Sequence, residues 1–377
     1  MFEELTLLQL QQYWWIIISL LGGLFAFIMF VQGGQTLIGR LSKGDEVLKT
    51  MLINSLGRKW ELGFTTLVLF GGALFAAFPL FYSTSFGGAY WVWMSILFCF
   101  IIQAVSYEFR KKPDNFLGQK VYESFLFING SLGVILLGVA IATFFSGSSF
   151  FVDDNNFSHW QTPYRGLEAL TDIFNLSLGF ALFFLVRISG ALYFINNINH
   201  ETIKQRAIKS IKIDMLIFLF FFLMFLYLLF TKNGFAYDEN TVVFMQEYKY
   251  LQNFLDMPFV LGMFVIGVLM VIIAVFATIH LNMTCCIKTG GVGIVLTVMA
   301  LFLNVGFNNT AYYPSTFDLQ SSLTIQNSSG SHYTLTAMSY VSLMVPFVIA
   351  YITYVWYQMD KVKITKEEIE DPHAHNY

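Results

Sequence analysis

Nine long apolar runs are the feature of this sequence that most constrains its fold. A helix that crosses the hydrocarbon core of a bilayer needs about 20 mostly apolar residues, and the connections between the runs are polar. The runs occupy residues 14–39, 62–82, 90–107, 121–145, 167–195, 213–230, 258–281, 291–307 and 337–358. The sequence therefore predicts an all-α polytopic membrane protein with nine transmembrane helices, in a single domain over residues 1–377.

Composition excludes the other broad classes of protein. Of the 377 residues, 56% are hydrophobic and only 12% are charged, whereas a soluble globular protein carries about 25% charged residues. So few charges cannot cover a water-facing surface, which argues against a soluble enzyme and a disordered chain. Lys and Arg number 21 against 24 Asp and Glu. Without a basic excess, the chain is not expected to bind nucleic acid.

The basic residues alternate between the connections and predict an orientation. Seventeen of the 21 Lys and Arg follow odd-numbered runs, three lie in the opposite connections, and Arg187 lies within the fifth run. Basic loops are retained on the cytoplasmic side of a membrane. We therefore expect the N-terminus outside and the C-terminus in the cytoplasm, with residues 359–377 as a cytoplasmic tail.

Ionisable side chains in or beside the runs are candidates for chemistry, because a charge at mid-membrane costs about 2.5–3.5 kcal/mol. The sequence places Glu168, Asp172 and Arg187 in the fifth helix, and it places others near helix ends: Glu61, Glu108, Arg110, Glu123, Asp214 and Asp256. Asp172 is about four turns from Arg187, too far for pairing along one helix. A partner on another helix, a lipid phosphate, a bound headgroup and a ligand or proton role all stay open for Arg187. Gln32 and Gln35, in the inner half of the first helix, are expected to hydrogen-bond across helices.

Histidine positions argue against a haem held by this chain alone. Haem iron takes axial His, Met or Cys ligands, and of the six histidines only His280 is near a run. A facing pair of intramembrane histidines is therefore not expected. Asp371, His373 and His375 could bind a metal, but a solvated tail is the favoured interpretation, and we predict no metal site.

The order of motifs resembles subunit II of the cytochrome bd-type quinol oxidases, over nearly the whole chain. The Gly71–Pro79 run is the most specific of these motifs. They are Trp14-Trp15, Ile53-Asn54-Ser55, Trp60-Glu61, Gly71-Gly72-Ala73-Leu74-Phe75-Ala76-Ala77-Phe78-Pro79, Glu108-Phe109-Arg110-Lys111, Pro314-Ser315, Ser321-Ser322-Leu323-Thr324-Ile325, Ser331, Thr334-Leu335 and Ile364-Thr365-Lys366-Glu367-Glu368-Ile369-Glu370.

The resemblance implies a heterodimer with subunit I in a bacterial inner membrane, in some cases with a small third subunit. Subunit I would hold haems b558, b595 and d, oxidise membrane quinol and reduce O2 to water. Subunit II would be the scaffold, help to deliver protons and bind lipids, and it can hold a structural quinone.

The resemblance also implies roles for particular residues. Glu61 matches the acidic residue after the Trp of helix 2 and would admit protons beside Trp60, while Glu108 and Arg110 match the acid and base after helix 3. The chain departs from the family in helix 1, where Gln32 and Gln35 stand in place of two aspartates. An amide cannot exchange a proton as a carboxylate does, so a proton route through helix 1 is in doubt.

Two other functions compete with the oxidase subunit. A secondary transporter or channel also has many spans and intramembrane charges, although here the acids cluster at helix ends and the prolines lie mostly there too. A purely structural assembly factor is the third candidate. Association with a haem-bearing partner would distinguish an oxidase subunit from a transporter or channel and from an assembly factor.

Overall fold

The computed structural model describes residues 2–113 and 115–370, with only the backbone of residue 370. In those residues nine helices are long and apolar enough to span a membrane, which confirms the predicted all-α polytopic fold. They are α1 (Leu7–Gln35), α2 (Glu46–Ala77), α3 (Tyr90–Phe109), α4 (Gln119–Ser146), α5 (Ile173–Asn197), α6 (Glu201–Thr231), α7 (Pro258–His280), α8 (Cys286–Gly306) and α9 (His332–Asp360).

Four of these helices are interrupted within the bundle. The irregular points lie at Met29 in α1, at Arg58 and Lys59 in α2, and at Leu343 and Met344 in α9. Helix α4 contains a π-helical turn, Asn129–Gly133. Such turns insert an extra residue into the helical repeat and are frequent at functional sites.

Short elements connect the spans. Two antiparallel hairpins lie between α4 and α5 and between α6 and α7: β1 (Phe150–Val152) with β2 (Ser158–Trp160), and β3 (Gly234–Tyr237) with β4 (Val243–Gln246). The short helices are Phe2–Glu4, Ile38–Ser42, Pro79–Tyr82, Ser83–Gly87, Leu167–Thr171, Lys249–Asp256, Leu319–Ser321 and Lys366–Glu370.

Several helices begin earlier than hydropathy predicts. Helix α1 begins at Leu7 because Thr6 caps it, accepting a hydrogen bond from the Gln9 backbone. Helix α2 begins at Glu46 because Asp45 accepts hydrogen bonds from the next backbone amides. Helix α6 begins at Glu201, so its lysine-bearing first turns are helical. A hydropathy pattern does not detect polar residues that extend a helix beyond the hydrocarbon core.

The predicted position of three acids was wrong. Glu168 and Asp172 precede α5, because Leu167–Thr171 is a separate 3₁₀ helix and Asp172 caps α5 by accepting from the Phe174 amide at 2.8 Å. Asp214 does not flank helix 6 but lies inside α6, buried. A capping carboxylate and an intramembrane one look alike in a hydropathy pattern.

The hairpins and the connection between α8 and α9 form one end of the bundle, which we call the hairpin end. The Ser148 amide donates to Pro314 O at 3.0 Å and the Ala311 amide donates to Phe235 O at 2.9 Å, so both hairpins contact the long connection. Beneath it lies an aromatic cluster, whose members are Trp15, Phe78, Phe81, Phe144, Tyr312 and Tyr313. These contacts hold the connections against the bundle.

The opposite end carries most of the Lys and Arg, and we call it the basic end. The segment after α9 is docked here rather than free, because the Ile364 amide donates to Asn197 O at 3.0 Å and Arg58 pairs with Glu368. Buried Lys59 lies 3.1 Å from Asp360 at the end of α9. Asp371, His373 and His375 lie outside the described residues.

Candidate functional site

Polar side chains from α1, α2 and α3 meet inside the bundle near the basic end. After the bend at Met29, α1 turns Gln32 and Gln35 toward α3, and both side chains are buried. Gln32 Nε2 donates to Gln103 Oε1 at 3.4 Å, and Gln35 Nε2 donates to the Tyr107 hydroxyl at 3.2 Å. The two glutamines, one turn apart, therefore reach two residues of α3 that are also one turn apart.

Tyr107 joins this cluster to the start of the apolar part of α2. Its ring stacks on Trp60 with centroids 5.7 Å apart and planes 11° apart. Glu61 follows Trp60 and has an exposed side chain, and Glu108 follows Tyr107 and is exposed as well. The structure thus links Trp60 to Gln35 through Tyr107, while Gln32 bonds to Gln103. It places both acids at the surface of the same end.

Arg110 belongs to a neighbouring ionic network. Its guanidinium is only 1% exposed and donates to Glu123 Oε1 at 3.0 Å from Nε and at 2.7 Å from Nη2. Lys49 lies 3.2 Å from the other Glu123 oxygen, and Lys49 also pairs with Glu46. This network connects the ends of α2, α3 and α4. Its role is therefore structural.

Arg187 finds its partner on another helix. It donates to both carboxylate oxygens of Asp214 on α6, each at 3.2 Å, and to the Thr36 hydroxyl at 2.9 Å. Asp214 also accepts from Ser210 and lies 3.7 Å from Arg40. Of the alternatives open for Arg187, the structure shows the inter-helix pair, which joins α5, α6 and the end of α1.

Two buried amides, Gln103 of the cluster and Asn129 of α4, were not predicted from the sequence. Both are fully buried amides in helices that face α1. Both positions could have been found in the sequence, because each is an amide within an apolar run. Asn129 lies in the middle of the fourth run, and Gln103 lies in the third run.

Of the described histidines, His159 and His200 lie outside the spanning helices, and His280 and His332 lie at the ends of α7 and α9. Among the described residues, no group of three or more His, Cys, Asp and Glu could hold a metal ion. His280 is exposed at the end of α7, where its ring lies 4.6 Å from that of Phe276. A single exposed imidazole cannot supply two axial ligands inside the membrane.

An apolar cavity lies between α1, α2, α4, α5 and α8. It has a volume of about 70 Å³, and residues such as Phe25, Phe70 and Leu137 line it. Every lining residue is apolar, so the cavity suits a hydrocarbon chain and offers no side-chain donor to a quinone carbonyl.

Comparison with known proteins decides the family. The sequence model of the family described as "Cytochrome bd terminal oxidase subunit II" matches residues 10–359. The chain belongs to this family. It is therefore a subunit of a cytochrome bd terminal oxidase, an oxidoreductase complex of a bacterial inner membrane, and the transporter or channel alternative is not favoured.

Relatives match this subunit II chain over different lengths. It is 23% identical over 382 aligned positions to "Cytochrome bd-I ubiquinol oxidase subunit 2" of Escherichia coli K12, which spans 95% of this chain and 96% of that protein. It is 30% identical over 150 positions to "Cytochrome bd ubiquinol oxidase subunit 2" of Bacillus subtilis, covering 40% of this chain and 44% of that protein.

A solved structure shares the fold. A chain of the bd oxidase from Geobacillus thermodenitrificans superimposes with a TM-score of 0.65 at 13% identity, covering 93% of this chain and 98% of that one. At that identity the likeness concerns the fold alone.

Proposed function

We propose that this chain is the non-haem scaffold subunit of a bd-type quinol oxidase and that it admits cytoplasmic protons at Glu61. The observation that carries the proposal is the position of Glu61. This exposed carboxylate lies at the basic end beside Trp60, which stacks on the residue that leads to the buried amides.

The proton demand comes from the chemistry of the complex. Reduction of one O2 to two waters consumes four electrons and four protons. The curated relatives are named as ubiquinol oxidases, so membrane quinol would supply the electrons. The described histidines lie outside the spans or at their ends, which supports a proposal in which subunit I holds the haems.

Each residue near Glu61 has a distinct part in the proposal. A surface carboxylate exchanges protons with water and can pass them on. Trp60 positions the start of the apolar part of α2 by stacking on Tyr107. Glu108, next to Tyr107 and exposed, is a second acceptor at the same end. Arg110 and Arg187 act as structural pairs, because each is already bonded to a carboxylate.

Subunit I is proposed to cover the inner half of α9. None of the residues in Val345–Asp360 is buried in this chain, and Phe347, Tyr351 and Tyr354 are exposed at membrane depth. Tyrosine hydroxyls need hydrogen-bond partners that lipid tails cannot supply. A partner subunit supplies both packing and acceptors. The apolar cavity would take a hydrocarbon chain of a lipid or quinone.

The experiment is purification of the tagged protein in mild detergent, followed by reduced-minus-oxidised spectra and quinol-driven O2 uptake. We expect a haem-bearing partner to copurify. In the assembled complex, Glu61→Gln should slow O2 reduction by at least about tenfold, because a general acid or base of this kind contributes that much or more.

Glu201→Gln is the matched control, since Glu201 is another exposed acid at the basic end. It should leave turnover unchanged. Unchanged turnover of Glu61→Gln at every pH would remove Glu61 from the path. Isolation of a stable lone chain without haem would contradict the scaffold proposal.

A further inference from the structure

The inner half of α9 has little support from the rest of this chain. Its outer half, His332–Ser342, buries Leu335 in the hydrophobic core, whereas none of the residues in Val345–Asp360 is buried. The helix is irregular at Leu343 and Met344, between the two halves. Because this break separates the inner half from the packed outer half, the inner half needs an attachment of its own.

Contacts with α1, α2 and α5 attach the last turns of α9 to the bundle. The ring of Trp356 stacks on that of Phe27 in α1, with centroids 5.8 Å apart and planes 12° apart. Asp360 accepts hydrogen bonds from Trp356 Nε1 at 2.7 Å and from Asn197 Nδ2 at 3.0 Å. It also lies 3.1 Å from buried Lys59. The attachment of the inner half is therefore concentrated where the segment after α9 begins.

Residues 361–370, which we call the C-terminal segment, fold back onto α5 and α2. Ile364 of this segment is fully buried. Its amide donates to Asn197 O and its carbonyl accepts from the Asn199 amide, each at 3.0 Å. Asn197 thus binds Ile364 through its backbone and Asp360 through its side chain. One residue at the end of α5 therefore holds both α9 and the segment that follows it.

Two successive bases of α2 bind acids on either side of Ile364. Lys59 lies beside Asp360, as described above, and Arg58 pairs with Glu368 in the short helix of the segment. The side chains of Arg58 and Glu368 are 27% and 35% exposed, so water weakens their attraction. A buried isoleucine with two backbone hydrogen bonds contributes more than a surface ion pair. Ile364 should therefore hold the segment, and the ion pair should add a smaller amount.

We propose that the C-terminal segment is a latch that fixes the inner half of α9 in the position in which subunit I binds it. This inference rests on the proposed function, in which subunit I covers α9. With the latch closed, Asp360 stays beside Lys59 and the exposed side chains of α9 keep one orientation. A partner that binds an already ordered helix does not have to order it, so the latch increases the affinity between the two subunits.

Hydrogen exchange of the assembled wild-type oxidase, measured by mass spectrometry, tests whether the latch is closed. Peptides that contain residues 362–370 should exchange more slowly than an unstructured peptide of the same sequence, because Ile364 donates its amide proton to α5. Exchange at the unstructured rate would overturn the proposal.

Truncation of Ile364 tests what holds the latch. Ile364→Ala should raise the exchange rate of the segment by about tenfold or more, because large-to-small changes at buried positions are costly, and it should lower the yield of haem-bearing complex. Val362→Ala is the matched control, since Val362 lies in the same segment but is 70% exposed. It should match the wild type in both measurements. Full assembly of Ile364→Ala, or equal losses in the two variants, would overturn the proposal.

Charge reversal tests the latch without changing its buried residue. Glu368→Arg should lower the yield of haem-bearing complex about two- to fivefold, because it replaces an attraction between partly exposed groups by a repulsion. The double variant Arg58→Glu with Glu368→Arg should restore the yield. Glu367→Arg, the same change at an exposed neighbour, should have no effect. A loss that the double variant does not restore would overturn the assignment of the ion pair to the latch.

The outcomes separate the latch from the proposed function. If the wild type assembles with a haem-bearing partner, and Ile364→Ala and Glu368→Arg assemble equally well, the latch is wrong and the proposed function stands. If the wild type itself is a stable lone chain without haem, both are wrong.

Discussion

Several buried charges in this protein are paired between helices. Arg187 bonds Asp214 across α5 and α6, Lys59 lies 3.1 Å from Asp360 at the end of α9, and Asp360 also accepts from Asn197 at 3.0 Å. A buried charge is tolerated when a partner and further hydrogen bonds compensate for lost water. At the scale of single residues, these pairs orient helices whose apolar faces are otherwise similar.

Replacing Arg187 should destabilise the folded chain. Arg187→Leu would leave buried Asp214 with Ser210 and the partly exposed Arg40, which lies 3.7 Å away. Removal of one partner of a buried pair costs about 3–5 kcal/mol, and Arg40 should reduce that cost. The measurement is the thermal midpoint of the assembled complex in detergent.

The double variant Arg187→Leu with Asp214→Leu is the control for this prediction. With no unpaired carboxylate left in the bundle, it should recover much of the lost stability. A double variant as unstable as the single one would mean that the pair does not set the stability.

At the scale of helices, small residues permit backbone contact in this bundle. A Cβ atom on Gly33 of α1 would lie 1.9 Å from Val186 O of α5, and one on Gly138 of α4 would lie 2.6 Å from the Cα of Gly179. Lipid provides no hydrophobic force between helices, so close packing of small residues must supply the attraction. Glycine is therefore required at these positions.

Gly33→Ala should disrupt the crossing of α1 and α5. The methyl group would overlap a backbone carbonyl that cannot rotate away, and such overpacking costs about 1–3 kcal/mol. We expect less assembled complex and a lower thermal midpoint. Gly39→Ala is the matched control, because nothing lies within 4 Å of a Cβ at Gly39. An equal loss of assembled complex in both variants would mean that the contact of Gly33 with Val186 does not determine how α1 and α5 cross.

The hairpin end should lose stability at alkaline pH. Burial raises the pKa of Tyr250 and Tyr312 well above the usual value and also raises the pKa of Tyr313. Tyr250 donates its hydroxyl proton to Phe145 O at 2.8 Å. Because these pKa values are higher in the folded chain, stability is fully present below the unfolded pKa of about 10 and declines as pH rises above it.

Tyrosinate absorbance during a pH titration checks this prediction. The buried phenols should ionise only together with unfolding, later than exposed tyrosines such as Tyr164 and Tyr333. Tyr313→Phe should move the alkaline transition to higher pH. Ionisation of all tyrosines in one early step, with the fold intact, would contradict the burial of these side chains.

For the whole molecule, orientation follows from the segregation of charge to the basic end. Arg58, Lys59 and Arg110 gather there through their contacts with Glu368, Asp360 and Glu123. Charge alternation predicts that this end faces the cytoplasm. The three cysteines offer a direct test, because Cys285 is exposed there while Cys99 and Cys286 are buried.

A membrane-impermeant maleimide should label Cys285 in inverted membrane vesicles but not in spheroplasts. Cys285→Ser should abolish the signal. Asn155→Cys, in the exposed turn between β1 and β2, is the matched probe of the other side and should label in the opposite preparation. Labelling of Cys285 from outside would reverse the orientation and, with it, the proton entrance at Glu61.

The sequence by itself determined the membrane class, the number of spans and the family, because hydropathy, charge alternation and the Gly71–Pro79 run are local properties of the chain. It also singled out Arg187 and the glutamines of α1. Only the tertiary structure decided that Arg187 pairs with Asp214, that Tyr107 links Trp60 to Gln35, and that Gly130 lies against α1. The reason is geometric. The rotation and bending of each helix determine which polar side chains meet. That rotation and bending depend in turn on contacts between helices that are far apart in sequence.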